Sequence, residues 1–137
     1  MAGASDTAGT VEILTQGWLD ALRDAAGGLP ERPGASGRMQ FTVTGAPGGE
    51  VVYWLGFRDG RLVEARLGAA AAPEVEVVTP LGLAAELAGG DGDPAPAFMQ
   101  GRMKVAGDQA VLLRLLAVMG TPAYGTATRA VAARTRP

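Results

Sequence analysis

The chain has 137 residues, of which 47% are apolar and 19% are charged, and its formal net charge is −2. This length suits one domain that buries roughly two-thirds of its unfolded surface, and the charge balance argues against nucleic-acid binding, which needs a basic patch to neutralise phosphates. Cysteine and histidine are absent, which excludes disulfides, thiolate nucleophiles, Ser-His-Asp triads and zinc sites built on these residues.

The first nine residues are small and polar, and we expect them to form a flexible N-terminus. They have neither the basic region nor the apolar run of a secretory signal. No apolar stretch approaches the ~20 residues that a membrane span requires, so we expect no integral membrane segment. The lack of cysteine fits a cytoplasmic protein, and the richness in Ala, Gly and Arg suggests a high-GC genome such as that of an actinobacterium.

The first predicted helix begins at Thr10, whose hydroxyl can cap it. Its apolar stripe recurs at helical spacing and comprises Val11, Leu14, Trp18, Leu22 and Ala25. Gly27-Gly28 ends this helix, and a loop rich in proline and glycine follows as far as Gly34.

Four strands are predicted between residues 38 and 79. Residues 38–44, 61–67 and 74–79 alternate apolar and polar side chains, as half-buried strands do. Residues 51–57 are apolar on both faces, which is typical of a central strand. Asp59-Gly60 predicts a type I′ hairpin turn, because this turn needs positive φ at both central positions.

Helices follow the fourth strand. Thr79 is predicted to cap the first of them, with Pro80 at its first position, where the missing N–H costs nothing. This helix ends at Gly89-Gly90. After a flexible loop, residues 95–99 are predicted to form one further short turn of helix.

The fifth strand is predicted to cover residues 101–106, with Met103 and Val105 facing inward. Asp108 then caps an apolar helix that reaches Met119, and residues 124–133 are compatible with a helix of small residues. A sheet of five strands with helices gathered on one face predicts a two-layer α+β domain.

No group of residues predicts a catalytic or metal site. Asp91 and Asp93 resemble the start of a calcium loop, but no Glu follows at the position that closes the coordination. Glu74 and Glu76 share one strand face, and an exposed polar face explains them better than acid–base catalysis. Asp108 is better explained as a helix cap. We therefore predict no catalytic residue, no metal and no cofactor.

Large flexible apolar residues are more numerous around the last apolar helix than one small helix needs to cover a sheet. They come from the sheet, the connection before the fifth strand and the helix itself, and comprise Trp54, Phe57, Phe98, Met99, Met103 and Met119. Methionine adapts to irregular shapes, and ligand pockets are mostly apolar with few polar groups. The pattern predicts either ordinary core packing or an apolar pocket, and both remain open.

The run Gly101-Arg102-Met103-Lys104-Val105-Ala106-Gly107-Asp108 carries a family resemblance. Its glycine, its alternating basic and apolar residues and its closing Gly-Asp before an apolar helix resemble the sterol carrier protein 2 sterol-transfer family. The order of the preceding elements is also similar, so the resemblance extends from Thr10 to Met119. It implies a family domain at residues 10–120, with residues 121–137 as a C-terminal helix or tail.

The resemblance implies a five-stranded, largely antiparallel sheet that is covered on one face by helices, with a hydrophobic tunnel between the layers. It also implies an apolar ligand such as a lipid, a fatty acyl chain or a sterol. The residues that we expect to line the tunnel are Tyr53, Trp54, Phe57, Phe98, Met99, Met103, Leu112, Leu115, Leu116, Met119 and Tyr124.

The sequence leaves three functions open. The first is a non-catalytic carrier of an apolar small molecule, which would be a lipid, fatty acyl, sterol or polyketide-like compound. The second is a biosynthetic enzyme, such as a cyclase or pericyclase, that folds a hydrophobic intermediate by shape and desolvation, with Tyr53 or Tyr124 as a polar anchor. The third is an interaction module without a ligand that either forms a homodimer or docks on an enzyme through an exposed apolar patch.

Overall fold

The computed structural model describes residues 11–89 and 94–136. The predicted flexible segment at residues 1–9 and the predicted cap Thr10 lie outside this range, as do Asp91 and Asp93. In chain order the elements are β1 (Val11–Glu12), α1 (Gln16–Ala26), β2 (Gly37–Thr44), β3 (Val51–Arg58), β4 (Arg61–Leu67), β5 (Val75–Pro80), α2 (Leu81–Ala88), α3 (Pro94–Met99), β6 (Lys104–Gly107), α4 (Gln109–Met119), α5 (Pro122–Ala132) and β7 (Thr135–Arg136).

Five strands form the main sheet, in the order β4-β3-β2-β5-β6. The pairing of β2 with β5 is parallel, and the other three pairings are antiparallel. The turn between β3 and β4 has φ of 47° at Asp59 and 86° at Gly60, as the type I′ prediction requires. The predicted five-stranded, largely antiparallel α+β fold is therefore confirmed.

The two faces of this sheet differ in what covers them. On β2, Met39, Phe41 and Val43 are buried in the core that the sheet forms with the helices. On the opposite face, Trp54 of β3 lies between Gln40 of β2 and Arg66 of β4. The helices thus pack on the face that carries the apolar residues of β2.

The first helix begins later than the sequence predicts. Thr15, not Thr10, is the N-cap of α1, and its hydroxyl oxygen accepts a hydrogen bond from the Trp18 N–H at 3.2 Å. Val11 belongs to β1, and Leu14 has a φ of 64°, so neither is part of the helical stripe. The cause is a long-range one, because Val11 pairs with Thr135 of β7 in a small parallel ladder.

The predicted cap at Thr79 is also wrong. Pro80 occupies the N-cap position of α2, and no side chain caps this helix. Thr79 is instead an inward-facing residue of β5, only 2% exposed, and its backbone lies beside Val43 in the parallel pairing. Its hydroxyl donates only a long hydrogen bond, of 3.5 Å, to the Pro80 carbonyl. The strand thus continues through Thr79 to Pro80, where the sequence predicted the start of the helix.

The Gly101–Asp108 run forms a helix end, a short strand and a helix start. Gly101 has a φ of 73° and closes α3, so β6 begins at Lys104 and not at residue 101. Gly107 has a φ of 121°, and a Cβ there would collide with the Glu74 carbonyl oxygen next to β5. Asp108 caps α4 as predicted, since its carboxylate accepts from the Val111 N–H at 3.0 Å.

The C-terminal part forms helix α5, which packs against α1. Thr121 caps α5 by accepting from the Tyr124 N–H at 3.2 Å. No single helix among the described residues is long and apolar enough to span a membrane, and α4 and α5 reach that length and composition only as a pair, across a 67° bend.

Candidate functional site

A cavity of about 70 Å³ lies between the helix-covered face of the sheet and the helices above it. Strands β2, β3 and β5 form its floor, and helices α1, α2, α4 and α5 supply most of its walls. The lining residues are Trp18, Leu22, Met39, Phe41, Tyr53, Leu55, Val77, Thr79, Ala84, Leu87, Ala88, Pro94, Met103, Val105, Leu112, Leu116, Met119, Tyr124, Gly125, Thr128 and Val131.

The lining is apolar except for four hydroxyl groups. No charged side chain from the described part of the chain lines the cavity. Two of the hydroxyls have carbonyl partners, because Thr128 donates to the Gly125 carbonyl at 3.0 Å and Thr79 reaches the Pro80 carbonyl. The other two belong to Tyr53 and Tyr124, so these tyrosines are the polar groups that the cavity leaves available.

Aromatic packing fixes the Tyr53 ring in the floor. The ring stacks on Phe41 of the neighbouring strand, with centroids 4.9 Å apart and planes 13° from parallel. Trp18 of α1 also meets this ring edge-on, at 5.5 Å and 89°. Offset-stacked and edge-to-face contacts are the arrangements that aromatic quadrupoles favour. Tyr53 is therefore held between the sheet and α1.

Tyr124 enters the cavity from the first turn of α5. Its ring lies 6.5 Å from that of Phe57, and the Thr121 cap holds its backbone N–H. Gly125, Thr128 and Val131 follow it along the helix and also line the cavity. Residues three and four positions apart share a helix face, so α5 presents to this space one face that combines two hydroxyl groups with a glycine and a valine.

Neither tyrosine hydroxyl has a hydrogen-bond partner within the described residues. Every side-chain nitrogen or oxygen atom in this part of the chain that is sealed from solvent has a hydrogen-bond partner. Each of the two tyrosine hydroxyls must therefore border open space, and the cavity is a space that both side chains line. Burial raises the pKa of both groups well above the ordinary tyrosine value, and the proximity of Tyr124 raises the pKa of Tyr53 further. Both are therefore neutral hydroxyls at any physiological pH.

Six of the eleven residues predicted from the sequence line the cavity, namely Tyr53, Met103, Leu112, Leu116, Met119 and Tyr124. Their role in ligand binding remains a prediction. The residues that the structure places elsewhere are Trp54, Phe57, Phe98, Met99 and Leu115.

Different causes place these five away from the cavity. Trp54 lies on the opposite face of the sheet, where the Arg38 guanidinium stands 5.5 Å from its ring. Met99 is 82% exposed at the end of α3, and Phe98 beside it is half-buried. Leu115 and Phe57 are buried in the core outside the lining.

Sequence reasoning missed the contributions of α1, β2 and most of α5. The helical stripe containing Trp18 and Leu22 was a usable signal for a buried face, and the alternation of β2 placed Met39 and Phe41 inward. Nothing in the sequence indicated that these faces meet at unfilled space. Gly125 and Thr128 carry no hydrophobic signal at all, so their place in the lining follows only from the packing of α5.

The cavity as it stands is small for a lipid. An engineered apolar cavity of about 150 Å³ accommodates benzene, and this one has about half that volume. A ligand with a long chain therefore requires the helices or the flexible lining residues to move apart. Leu and Met side chains line the α4 wall, and Met repacks readily around a guest of irregular shape. The tunnel implied by the family resemblance stays a prediction.

The carboxylates considered in the sequence are not gathered into a site. Within the described ranges no group of three or more Asp and Glu side chains is placed to share a metal ion. Glu74 accepts a hydrogen bond from the Arg38 backbone N–H at 2.7 Å, while Glu76 is exposed. The Glu74 carboxylate thus holds the start of β2 and does not form a pair with Glu76.

A second depression of about 120 Å³ lies beside the loop that follows α1. Its rim includes the exposed side chains of Pro30, Glu31 and Arg32. Its lining combines the apolar Leu29, Val118 and Ala123 with the charged Glu31 and Arg32, so it is less apolar than the first cavity and fits a small-molecule pocket less well.

Residues 19–120 match the sequence model of the SCP-2 sterol transfer family. The chain belongs to this family. The match ends just before α5, so the wall that supplies Tyr124, Gly125, Thr128 and Val131 lies beyond the matched range. A comparison with curated proteins gave no match.

Solved structures of this family share the fold. A crystal structure of sterol carrier protein 2 aligns with a TM-score of 0.67 at 18% identity, over 86% of this chain and 98% of the other. A conserved hypothetical protein from Thermus thermophilus, described as possibly a sterol carrier protein, gives 0.64 at 20% identity, over 92% of both chains. Palmitated SCP2L2 from Aedes aegypti gives 0.60 at 18% identity, over 82% and 96%. At these identities the likeness shows the fold alone.

Proposed function

We propose that this protein binds an apolar small molecule in the cavity between sheet and helices and carries it without chemical change. The observation that carries the proposal is the uncharged, mostly apolar lining at the position where the sheet and four helices meet. Membership of a sterol transfer family supports it. The ligand class comprises lipids, fatty acyl compounds, sterols and polyketide-like molecules.

The driving force would be the hydrophobic effect. Burial of apolar ligand surface contributes about 25 cal/mol per Å², and ordering of the ligand and opening of the cavity offset part of this gain. A long alkyl chain has enough surface to leave a net gain. The palmitated relative from Aedes aegypti indicates that this fold can be associated with such a chain.

The test is to identify what the purified protein carries and where it is held. Native mass spectrometry would show a bound species, and extraction would identify it. Leu116→Trp should fill the cavity and abolish this adduct, because Leu116 lines the space. Leu113→Trp is the matched control on the same helix, since Leu113 is 61% exposed, and it should leave the adduct unchanged. Equal ligand content in both variants would contradict the proposed pocket.

A second candidate function is supported by the two tyrosine hydroxyls, which make no hydrogen bond to any residue that the structure describes. Neutral hydrogen-bond donors in a water-poor cavity can stabilise charge that develops on a carbonyl oxygen, so a cyclase that folds a hydrophobic intermediate remains compatible with the site. The discriminating observation is turnover. An enzyme predicts conversion of a supplied polyene or polyketide, with kcat lowered in Tyr53→Phe or Tyr124→Phe while substrate still binds. A carrier predicts recovery of the compound unchanged.

A further inference from the structure

The cavity holds two hydroxyl groups whose presence the packing of the protein does not explain. Tyr53 and Tyr124 are 7% and 8% exposed, and neither hydroxyl makes a hydrogen bond within the described residues. A phenylalanine would fill either place with the same ring and without a polar group to desolvate. Packing alone therefore gives no reason for a hydroxyl at either position.

The two side chains come from opposite walls. Tyr53 lies on β3 of the sheet, and Tyr124 lies in the first turn of α5 above it. The Phe41 and Trp18 rings fix one of them, and the Thr121 cap fixes the backbone of the other. Groups held in place before binding lose little entropy when they engage a ligand.

The charge around this pair restricts what it can hold. Among the described residues the cavity lining contributes hydroxyls but no cation, and an unpaired carboxylate is expensive to transfer into apolar surroundings. The nearest cation on the same helix is Arg129, whose guanidinium folds back over Gly125. Arg129 is exposed and is not a lining residue.

We infer that Tyr53 and Tyr124 form an anchor for one neutral oxygen atom of the ligand, so that the cavity selects apolar alcohols, ketones and esters over free carboxylate anions and over plain hydrocarbons. The inference rests on the proposed carrier function. The hydroxyl of one tyrosine donates to the ligand oxygen, and the other donates to it or accepts from a ligand hydroxyl. The rest of the ligand lies against the apolar wall formed by Leu112, Leu116 and Met119.

The experiment uses a built-in reporter. The chain has two tryptophans, and Trp18 touches Tyr53 in the cavity while Trp54 lies on the opposite face of the sheet. In the Trp54→Phe protein, fluorescence therefore reports on Trp18 alone. The titrants share one chain length and differ only in their oxygen group: dodecanol, 2-dodecanone, dodecanoate at neutral pH and dodecane.

The expected order follows from the anchor. Dodecanol and 2-dodecanone should bind about tenfold more tightly than dodecane, and more tightly than dodecanoate. Adding Tyr53→Phe and Tyr124→Phe should reduce both oxygenated ligands to the affinity of dodecane and leave dodecane itself unchanged. A urea midpoint in these variants that is no lower than in the parent protein would show that folding is intact.

Three results would overturn the inference while leaving the carrier proposal in place. One is equal binding of the alcohol, the ketone and the alkane. Another is an oxygen preference that survives in the double Phe variant. The third is tightest binding of dodecanoate with loss of that binding in Arg129→Gln, which would assign a carboxylate site at the rim instead. Absence of binding by every titrant, by fluorescence and by native mass spectrometry, would overturn the carrier proposal and the anchor together.

Discussion

Helices α4 and α5, two of the helices that cover the cavity, contribute different chemistry. Helix α4 follows the Gly101–Asp108 run and lies in the family-matched range, and it offers Leu112, Leu116 and Met119 to the cavity. Helix α5 lies beyond that range and offers Tyr124 from its first turn, together with Gly125, Thr128 and Val131. The matched helix thus supplies apolar volume, whereas the helix outside the match adds hydroxyl groups to the lining.

The largest loss of stability is expected from a substitution of Gly107, the glycine that precedes α4. Gly107→Ala should destabilise the protein by about 3–4 kcal/mol, because the new Cβ meets the Glu74 carbonyl and the φ of 121° disfavours any side chain. Urea denaturation measures this. Gly101→Ala is the matched control, since its φ is also positive but nothing lies within 4 Å, and it should cost about 1 kcal/mol. Equal losses would refute the collision.

Two adjacent leucines of α4 separate packing from ligand contact. Leu116→Ala and Leu115→Ala should each cost about 2–4 kcal/mol, because both side chains are buried. Only Leu116 lines the cavity, so only its truncation should enlarge the space and change affinity for bulkier ligands. Affinity measured by Trp18 fluorescence, set against urea stability, checks this. A change in affinity of the same size in both variants would place the ligand elsewhere.

The tyrosines should make stability depend on pH in the alkaline range. Their pKa values are higher in the folded protein than the ordinary value of 10.0. Below pH ~10 both tyrosines are protonated in the folded and the unfolded chain, whereas above it the unfolded chain ionises first, so the free energy of unfolding falls as the pH rises. Each group should cost about 1.4 kcal/mol per pH unit beyond that point, as long as the pH stays below its folded pKa.

Urea unfolding at a series of pH values measures this loss, and the Tyr53→Phe/Tyr124→Phe protein is the control with a shallower decline. Tyrosinate absorbance that develops near pH 10 in the folded wild-type protein would contradict the burial of these hydroxyls.

The smallest expected effects are those of the two caps. Asp108→Ala and Thr121→Ala should each cost about 1 kcal/mol, since each removes one side-chain acceptor from a helix N-terminus. Amide hydrogen exchange locates the loss, and we expect faster exchange in the first turn of α4 for the one and of α5 for the other. Faster exchange across both helices in either variant would mean that they move as one unit.

The sequence was most informative where local chemistry decides the structure. The Asp59-Gly60 turn and the Asp108 cap each depend on a few neighbouring residues, and both predictions are confirmed. The predicted start of α1 was wrong because Val11, which lies before the helix, pairs with Thr135, more than a hundred residues away. No local period carries that information.

Only part of the candidate site was predictable, because a local pattern does not show which faces meet in the folded protein. Strand β3 is apolar on both faces, so its pattern could not tell that Tyr53 faces the cavity and Trp54 the opposite side. The periodicity of α4 predicted Leu112 and Leu116 as inward-facing, whereas the part of α5 that lines the cavity includes Gly125 and Thr128, which carry no hydrophobic signal. Packing, not pattern, creates the unfilled space between them.

In the proposed complex the ligand lies between the apolar face of α4 and the two tyrosines, Tyr53 and Tyr124. Isotope-edited nuclear Overhauser contacts between labelled protein and unlabelled dodecanol test it most directly. We expect contacts from the alkyl chain to the methyl groups of Leu112, Leu116 and Met119, and from the hydroxyl-bearing carbon to the Tyr124 ring. Contacts to the exposed side chains of Met99 and Leu113, with none to the cavity residues, would contradict it.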